Sequence, residues 1–318
     1  MLVRANEATR MCAMMTDTAP MIRPAIRRYS GLIPRPERWH AYEPRRGDII
    51  VCTPSKSGTT WTQTMLAMLL HRGADLPMKL PALSPWIDAD LGIPADEVFA
   101  ALAAQTGRRV VKTHTPLDGF PVWDGVTVIT VYRHPLDVFF SLRKHYANMT
   151  VGRQDDPMRQ PLPESIHNFL CGALDREDYS SRTLESVAGH YLETLQTDRR
   201  PRPAMLHYAD MMADRRRAVG LLAEIADIEI DETLTDVVVE ASSFGVMKAK
   251  AADFAPAGGT GFFRTDAGFF DSAQSRKWIG QMTQDALDIY ETRLADLIPE
   301  AEARAWLQYG NGSKPIAS

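Results

Sequence analysis

Apolar residues along this 318-residue chain fall into two alternating patterns, short unbroken runs and longer runs with a period near 3.6. Asp48-Ile-Ile-Val-Cys52 is of the first kind and predicts a buried parallel strand, ended by Pro54 and Gly58. Trp61, Met65, Leu66, Leu69 and Leu70 follow at helical spacing, closed by Gly73. Further strands are predicted at Arg109–Thr113, Val126–Tyr132 and Ala204–Tyr208. Val126–Tyr132 runs into Pro135, which suits the first turn of a helix carrying Val138, Phe139, Leu142 and Tyr146. Helices are also predicted at Pro163–Leu174, Leu184–Thr197, Arg215–Ala226 and Asp285–Leu297. The Pro-rich stretch from Leu76 to Pro94 reads as loop with at most short helices. Residues 1–40 mix Met, Arg and Pro without periodicity and predict a loosely ordered arm before one domain at 41–318. Strands separated by helices predict an α/β fold, a single domain with a central parallel sheet flanked by helices.

Composition narrows the function classes. Thirty-six Lys+Arg against 40 Asp+Glu give a net charge of −4, with 45% hydrophobic and 24% charged residues. These values fit a folded globular protein and exclude a disordered chain or a nucleic-acid binder working by bulk positive charge. Cys12, Cys52 and Cys171 are too few and too scattered for a disulfide framework or a zinc site, and thiols left idle suit a reducing cytosol. No run approaches the roughly 20 apolar residues of a membrane helix, and the N-terminus lacks the apolar core of a signal peptide. A cytoplasmic location is therefore expected, and oligomeric state is not legible.

The chemistry concentrates at Thr53-Pro-Ser-Lys-Ser-Gly-Thr-Thr-Trp61, between a predicted strand and a predicted helix. Small residues let backbone N–H groups crowd around an anion, and the helix adds its positive N-terminal end. Lys56 supplies a point charge; Ser57, Thr59 and Thr60 supply hydroxyls. The loop is P-loop-like without matching the G-x-x-x-x-G-K-[ST] pattern of nucleoside triphosphate sites, since Lys56 precedes Gly58. Arg133 at a strand's C-terminal end stands where an open α/β sheet places its ligand, and a guanidinium there can grip a phosphate by two bonds. His114 directly follows a strand, and a neutral imidazole suits removal of a proton from an alcohol or phenol. Trp61, Tyr208 and Phe244 taken singly read equally well as core aromatics.

These residues together carry a resemblance. Pro54-Ser-Lys-Ser-Gly-Thr-Thr-Trp61 resembles the phosphosulfate loop of cytosolic-type sulfotransferases, which use 3′-phosphoadenosine 5′-phosphosulfate (PAPS) and release 3′-phosphoadenosine 5′-phosphate (PAP). Lys112-Thr-His-Thr-Pro-Leu117, Val131-Tyr-Arg-His-Pro-Leu-Asp-Val-Phe-Phe-Ser141, His207-Tyr-Ala-Asp-Met211 and Ser242-Ser-Phe-Gly-Val-Met247 resemble further segments of that family, in order. Asp48-Ile-Ile50, Ser84-Pro-Trp-Ile-Asp88 and Lys112–Gly119 are most similar to bacterial enzymes of the glycolipid type.

The resemblance implies roles. His114 would be the general base, with Lys56 and Lys112 stabilising charge on the departing phosphate. Lys56, Ser57, Gly58, Thr59 and Thr60 would hold the 5′ end of the nucleotide, and Arg133, Ser141 and Arg264 the 3′-phosphate. Trp61 and Phe244 would sandwich the adenine, with Tyr208 and Ser243 beside it. No metal is implied. The family's Arg-Lys-Gly followed by Gly-Asp-Trp-Lys is replaced here by Phe262-Phe-Arg-Thr-Asp266, with the next tryptophan at Ser275-Arg-Lys-Trp278, which implies a remodelled loop. The acceptor would be a hydroxyl on a glycolipid, phenol or other small or amphipathic molecule. A phosphotransferase and a non-catalytic PAP/PAPS-binding module are the rival readings.

Overall fold

The computed structural model describes residues 18–311. Six strands lie among them: β1 (Met21–Arg23), β2 (Ile49–Cys52), β3 (Val110–Thr113), β4 (Val122–Trp123), β5 (Thr127–Tyr132) and β6 (Ala204–His207). Four of these form one parallel sheet in the order β3-β2-β5-β6. Every residue of β2 has zero exposure, as a strand covered on both faces requires. Its side chains alternate as the pleat dictates. Ile49 and Val51 pack with Met65, Leu66, Ile129 and Val131, whereas Ile50 and Cys52 pack with Trp39, Phe120 and Trp123.

The expected helices form close to their anticipated limits, at Thr59–Leu70, Pro135–Asn148, Leu162–Cys171, Leu184–Gln196, Arg215–Ile225 and Gln284–Leu297. Helices at Ala95–Ala104, Glu232–Ala241 and Ala301–Tyr309 were not anticipated. The first of these buries only Leu102, too little apolar patterning to stand out in sequence.

Part of the segment expected to be a loose arm is packed. Residues 1–17, including Cys12, lie outside the described residues, but β1 pairs antiparallel with β4. Tyr29 and Trp39 are 2% and 3% exposed, and Trp39 stacks on Phe120 at 4.9 Å. Single aromatics separated by prolines anchor this stretch, and such spacing carries no period for a sequence reading to detect.

The base of the sheet is fixed by charge. Asp48, with zero exposure, takes the Arg109 guanidinium at 2.5 Å and the Tyr42 hydroxyl at 2.9 Å, tying the starts of β2 and β3 together. Removing one partner of a buried pair leaves the other charge uncompensated. Asp48→Ala should lower the unfolding free energy by about 3–5 kcal/mol, read from urea denaturation; a change below about 1 kcal/mol would show that the pair does not hold the sheet.

Candidate active site

Parallel pairing brings the strand ends to one edge. Cys52 lies opposite Thr113 and Tyr132 opposite His207, so the residues that follow, Thr53, His114, Arg133 and Tyr208, leave the sheet together. That edge opens into a cavity of about 1110 Å³ lined by Lys56, Lys112, His114, Arg133, Ser141 and Phe244, among others.

The loop after β2 turns sharply. Lys56 has φ 65° and Gly58 φ 110°. A side chain at Gly58 would bring Cβ to 3.0 Å from the Tyr208 ring, so the position requires glycine both for its backbone angle and for the close approach. Gly58 also leads into the Thr59–Leu70 helix without a side-chain cap, leaving the first N–H groups of the helix directed at the loop. Thr59 and Thr53 hydroxyls bond at 2.5 Å. Ser57 is wholly buried beneath the loop, and its Oγ has no partner among the described residues. Thr59, Thr60 and Trp61 line the cavity.

His114 is fixed by the same loop. Its Nδ1 stands 2.8 Å from the Thr53 carbonyl, which can only accept, so Nδ1 carries the proton and Nε2 keeps a lone pair. Trp86 meets the ring edge-on at 4.5 Å. Burial and the nearby Lys112 charge push the His114 pKa down to about 3, so the ring is neutral in ordinary buffers. Buried Asp88 accepts from the Thr113 and Thr115 hydroxyls at 2.9 and 2.6 Å and holds the residues on both sides of His114.

Arg133 is buried, its guanidinium 4.3 Å over the Tyr208 ring and its amines bonded to the carbonyls of Lys56 (3.3 Å) and Gln274 (2.7 Å). Its Nε has no partner among the described residues. Lys56 Nζ sits 4.0 Å over the Phe269 ring. Desolvation, then the charges of Lys277, Arg133 and Lys112, push its pKa down to about 7, and burial takes Lys112 to about 8. Among the described residues neither lysine nor Arg133 forms an ion pair. A group of uncompensated cations around orphaned donors fits a polyanion.

Trp61 and Phe244 both line the cavity, the indole fixed by a 2.9 Å bond to the Ser242 carbonyl. Three expected residues do not line the cavity, the first being the wholly buried Ser57. Ser243 precedes the Phe244–Ala249 helix, and its neighbours Ser242 and Phe244 face the cavity while it does not. Arg264 is exposed and donates Nε to the Ala147 carbonyl. Phe263 pairs in an antiparallel bridge with Met149 and is buried, and an extended chain turns the next side chain the opposite way. Sequence reading also passed over two groups on the cavity wall. His145 lies one helical turn after Ser141, a spacing that placed it on the same face, and its Nδ1 is buried without a partner. Lys277 carried no sequence signal, being brought in by a long loop.

A sequence profile described as the sulfotransferase domain matches residues 46–297. The chain belongs to the sulfotransferase domain family. Its relatives include a glycolipid sulfotransferase of Mycobacterium bovis, 30% identical over 309 residues, covering 89% of this chain and 94% of that protein. A glycolipid sulfotransferase of Mycobacterium tuberculosis is 31% identical over the same shares. The mouse sulfotransferase SULT7A1, solved in complex with PAP, superposes with a TM-score of 0.64 at 18% identity, covering 86% of this chain and 94% of that one. Retinol dehydratase, solved with retinol and PAP, gives a TM-score of 0.66 at 18% identity over 83% and 84%. Both share the fold of this sulfotransferase.

The depressed Lys56 pKa is directly testable. After reductive ¹³C-methylation, one lysine methyl signal should titrate near pH 7 and vanish in Lys56→Arg. A spectrum with no lysine signal titrating near pH 7 would contradict the crowded cation cluster.

Proposed function

We propose that this sulfotransferase moves a sulfuryl group from PAPS to a hydroxyl of an amphipathic acceptor, with His114 as general base. The observation that carries the reading is the 2.8 Å bond from His114 Nδ1 to Thr53 in the anion-binding loop. One contact sets the tautomer and places the basic Nε2 beside the loop. The cavity residues fit the nucleotide: an orphaned donor at Arg133, a glycine against the Tyr208 ring, and lysines that form no ion pair among the described residues. PAPS when bound supplies an activated sulfuryl group on a phosphate leaving group. Lys56 and Lys112 would neutralise charge on the departing phosphate, the kind of electrostatic effect that dominates such transfers. Pairing those lysines with an anion would offset the Lys112 and Lys56 charges, which add to burial in holding the His114 pKa down. Retention of both Lys56 and His114 favours turnover over a module that merely holds nucleotide.

The acceptor side supports a large apolar body. Phe262, Phe263, Phe269, Phe270, Met149 and Met247 line the cavity, and Leu32, Leu91 and Ile93 stand exposed at its wall. The volume exceeds the upper range of about 300–1,000 Å³ usual for small-molecule sites. The mycobacterial relatives' names agree with a glycolipid. Among the described residues no helix is long and apolar enough to cross a membrane, so a lipid acceptor would have to be drawn into the cavity from outside.

His114→Ala should keep PAP affinity within about threefold while transfer from saturating PAPS falls by about 10²–10⁴. Wild-type transfer to an alcohol in the folded variant would remove His114 from the mechanism. The loss should be smaller with acidic phenols, which ionise with less help.

PAP binding should take up protons near pH 8, because Lys56 is largely neutral there when free and regains its proton beside a phosphate. Affinity should therefore weaken as pH rises from 7 to 9. Calorimetry in buffers of different ionisation enthalpy measures the uptake, and its absence in wild type would contradict a Lys56–phosphate contact.

A further inference from the structure

Arg264, which the family pattern assigns to the nucleotide's 3′-phosphate, points out of the cavity, yet the cavity wall between Lys56 and Arg133 still carries a cation. That cation is Lys277. Its side chain is 7% exposed and lines the cavity, and its Nζ rests 2.5 Å from Asp271 Oδ2. Of the charged groups near Lys56, Lys277 depresses the Lys56 amine most, ahead of Arg133 and Lys112.

The loop bearing Lys277 is built to hold it there. Asp137, in the first turn of the Pro135–Asn148 helix, accepts the backbone N–H groups of Arg276 and Lys277, each at 2.8 Å. Arg133 donates to the Gln274 carbonyl at 2.7 Å, and Trp278 stacks on His134 at 5.3 Å. Four contacts from three residues, Arg133, His134 and Asp137, thus fix a loop whose sequence departs from the family pattern.

Resting on the PAPS reading above, we propose that Lys277 is a phosphate ligand for the donor nucleotide, taking the place that Arg264 does not fill, with Asp271 as its resident counter-ion. Asp271 is shared. Its other oxygen accepts Lys144 Nζ at 2.5 Å, and Lys144 stands at the surface with 61% of its side chain exposed. When a phosphate draws Lys277 away, Lys144 keeps Asp271 neutralised, so exchanging the carboxylate for the phosphate does not strand a charge. The other carboxylates that line the cavity have their own cations: Asp155 pairs with Arg153, and Asp156 and Asp178 pair with Arg182 at 2.7 and 3.9 Å. Burial and the adjacent Arg133 charge lower the Lys277 pKa despite the Asp271 contact.

The test compares PAP and adenosine binding by calorimetry in the full chain. Lys277→Met should weaken PAP about tenfold to a hundredfold, the range for a hydrogen bond to a charged group, and leave adenosine within twofold. Lys277→Arg should retain PAP within about threefold, and Arg264→Ala should leave it unchanged. A second readout needs no variant. Saturating PAP should slow acetylation of Lys277 at least fivefold by mass spectrometry while leaving Lys144 unaffected. Wild-type PAP affinity in Lys277→Met, or equal acetylation of Lys277 with and without PAP, overturns the assignment alone. Failure of the wild-type chain to bind PAP overturns the donor reading and this assignment with it.

Discussion

The site depends on one constraint, the parallel register of β3, β2, β5 and β6. Parallel strands point their C-terminal ends the same way, so each chain leaves the sheet at the same edge and turns into its own loop or helix. Thr53, His114, Arg133 and Tyr208 lie far apart in sequence and meet only because Cys52 pairs with Thr113 and Tyr132 with His207. An antiparallel neighbour would send one of these groups to the opposite edge. The Asp48–Arg109 pair fixes the same register from the base of the sheet, far from any chemistry.

What gathers at that edge is unfavourable without a ligand. Lys56, Lys112, Arg133 and Lys277 are gathered there with Asp271 as the only carboxylate that forms an ion pair with any of them among the described residues. Burial and like charges lower the pKa values of Lys56 and Lys277, and burial lowers that of Lys112. Lys56 adds a left-handed backbone at φ 65°, a conformation that a side chain disfavours. Both costs fall where a polyanion would relieve them: an arriving phosphate meets donors already oriented, and the cavity owes its affinity to repulsion removed as much as to bonds formed. The His114–Thr53 bond ties this cluster to the imidazole proposed as the base.

The far side of the cavity follows a different logic. Its aromatic and methionine side chains contribute area rather than directed bonds, and His145 is the exception, a polar ring set among Phe263 and Phe269 at 5.4 and 5.8 Å. Such a surface selects by shape and apolar extent, which suits an acceptor whose reactive hydroxyl is a small part of a large body.

The division between what was legible in sequence and what was not is itself physical. Strand, loop and helix around Lys56 were readable because their signals are local: an unbroken apolar run, small residues with a glycine, then helical spacing. The same holds for His114 and Arg133, each at the end of a predicted strand, and the four-stranded sheet followed from the alternation of elements. Tertiary structure alone decided the third side of the nucleotide pocket. Motif order pointed to Arg264, but burial of Phe263 against Met149 and His145 turns the next side chain to solvent, and the loop returns at Lys277 on bonds from Asp137. Neither Asp137 nor Phe263 is marked by local pattern as the residue that settles this. Burial and long-range hydrogen bonds choose which cation of a remodelled loop faces inward, and those terms exist only once the chain has folded.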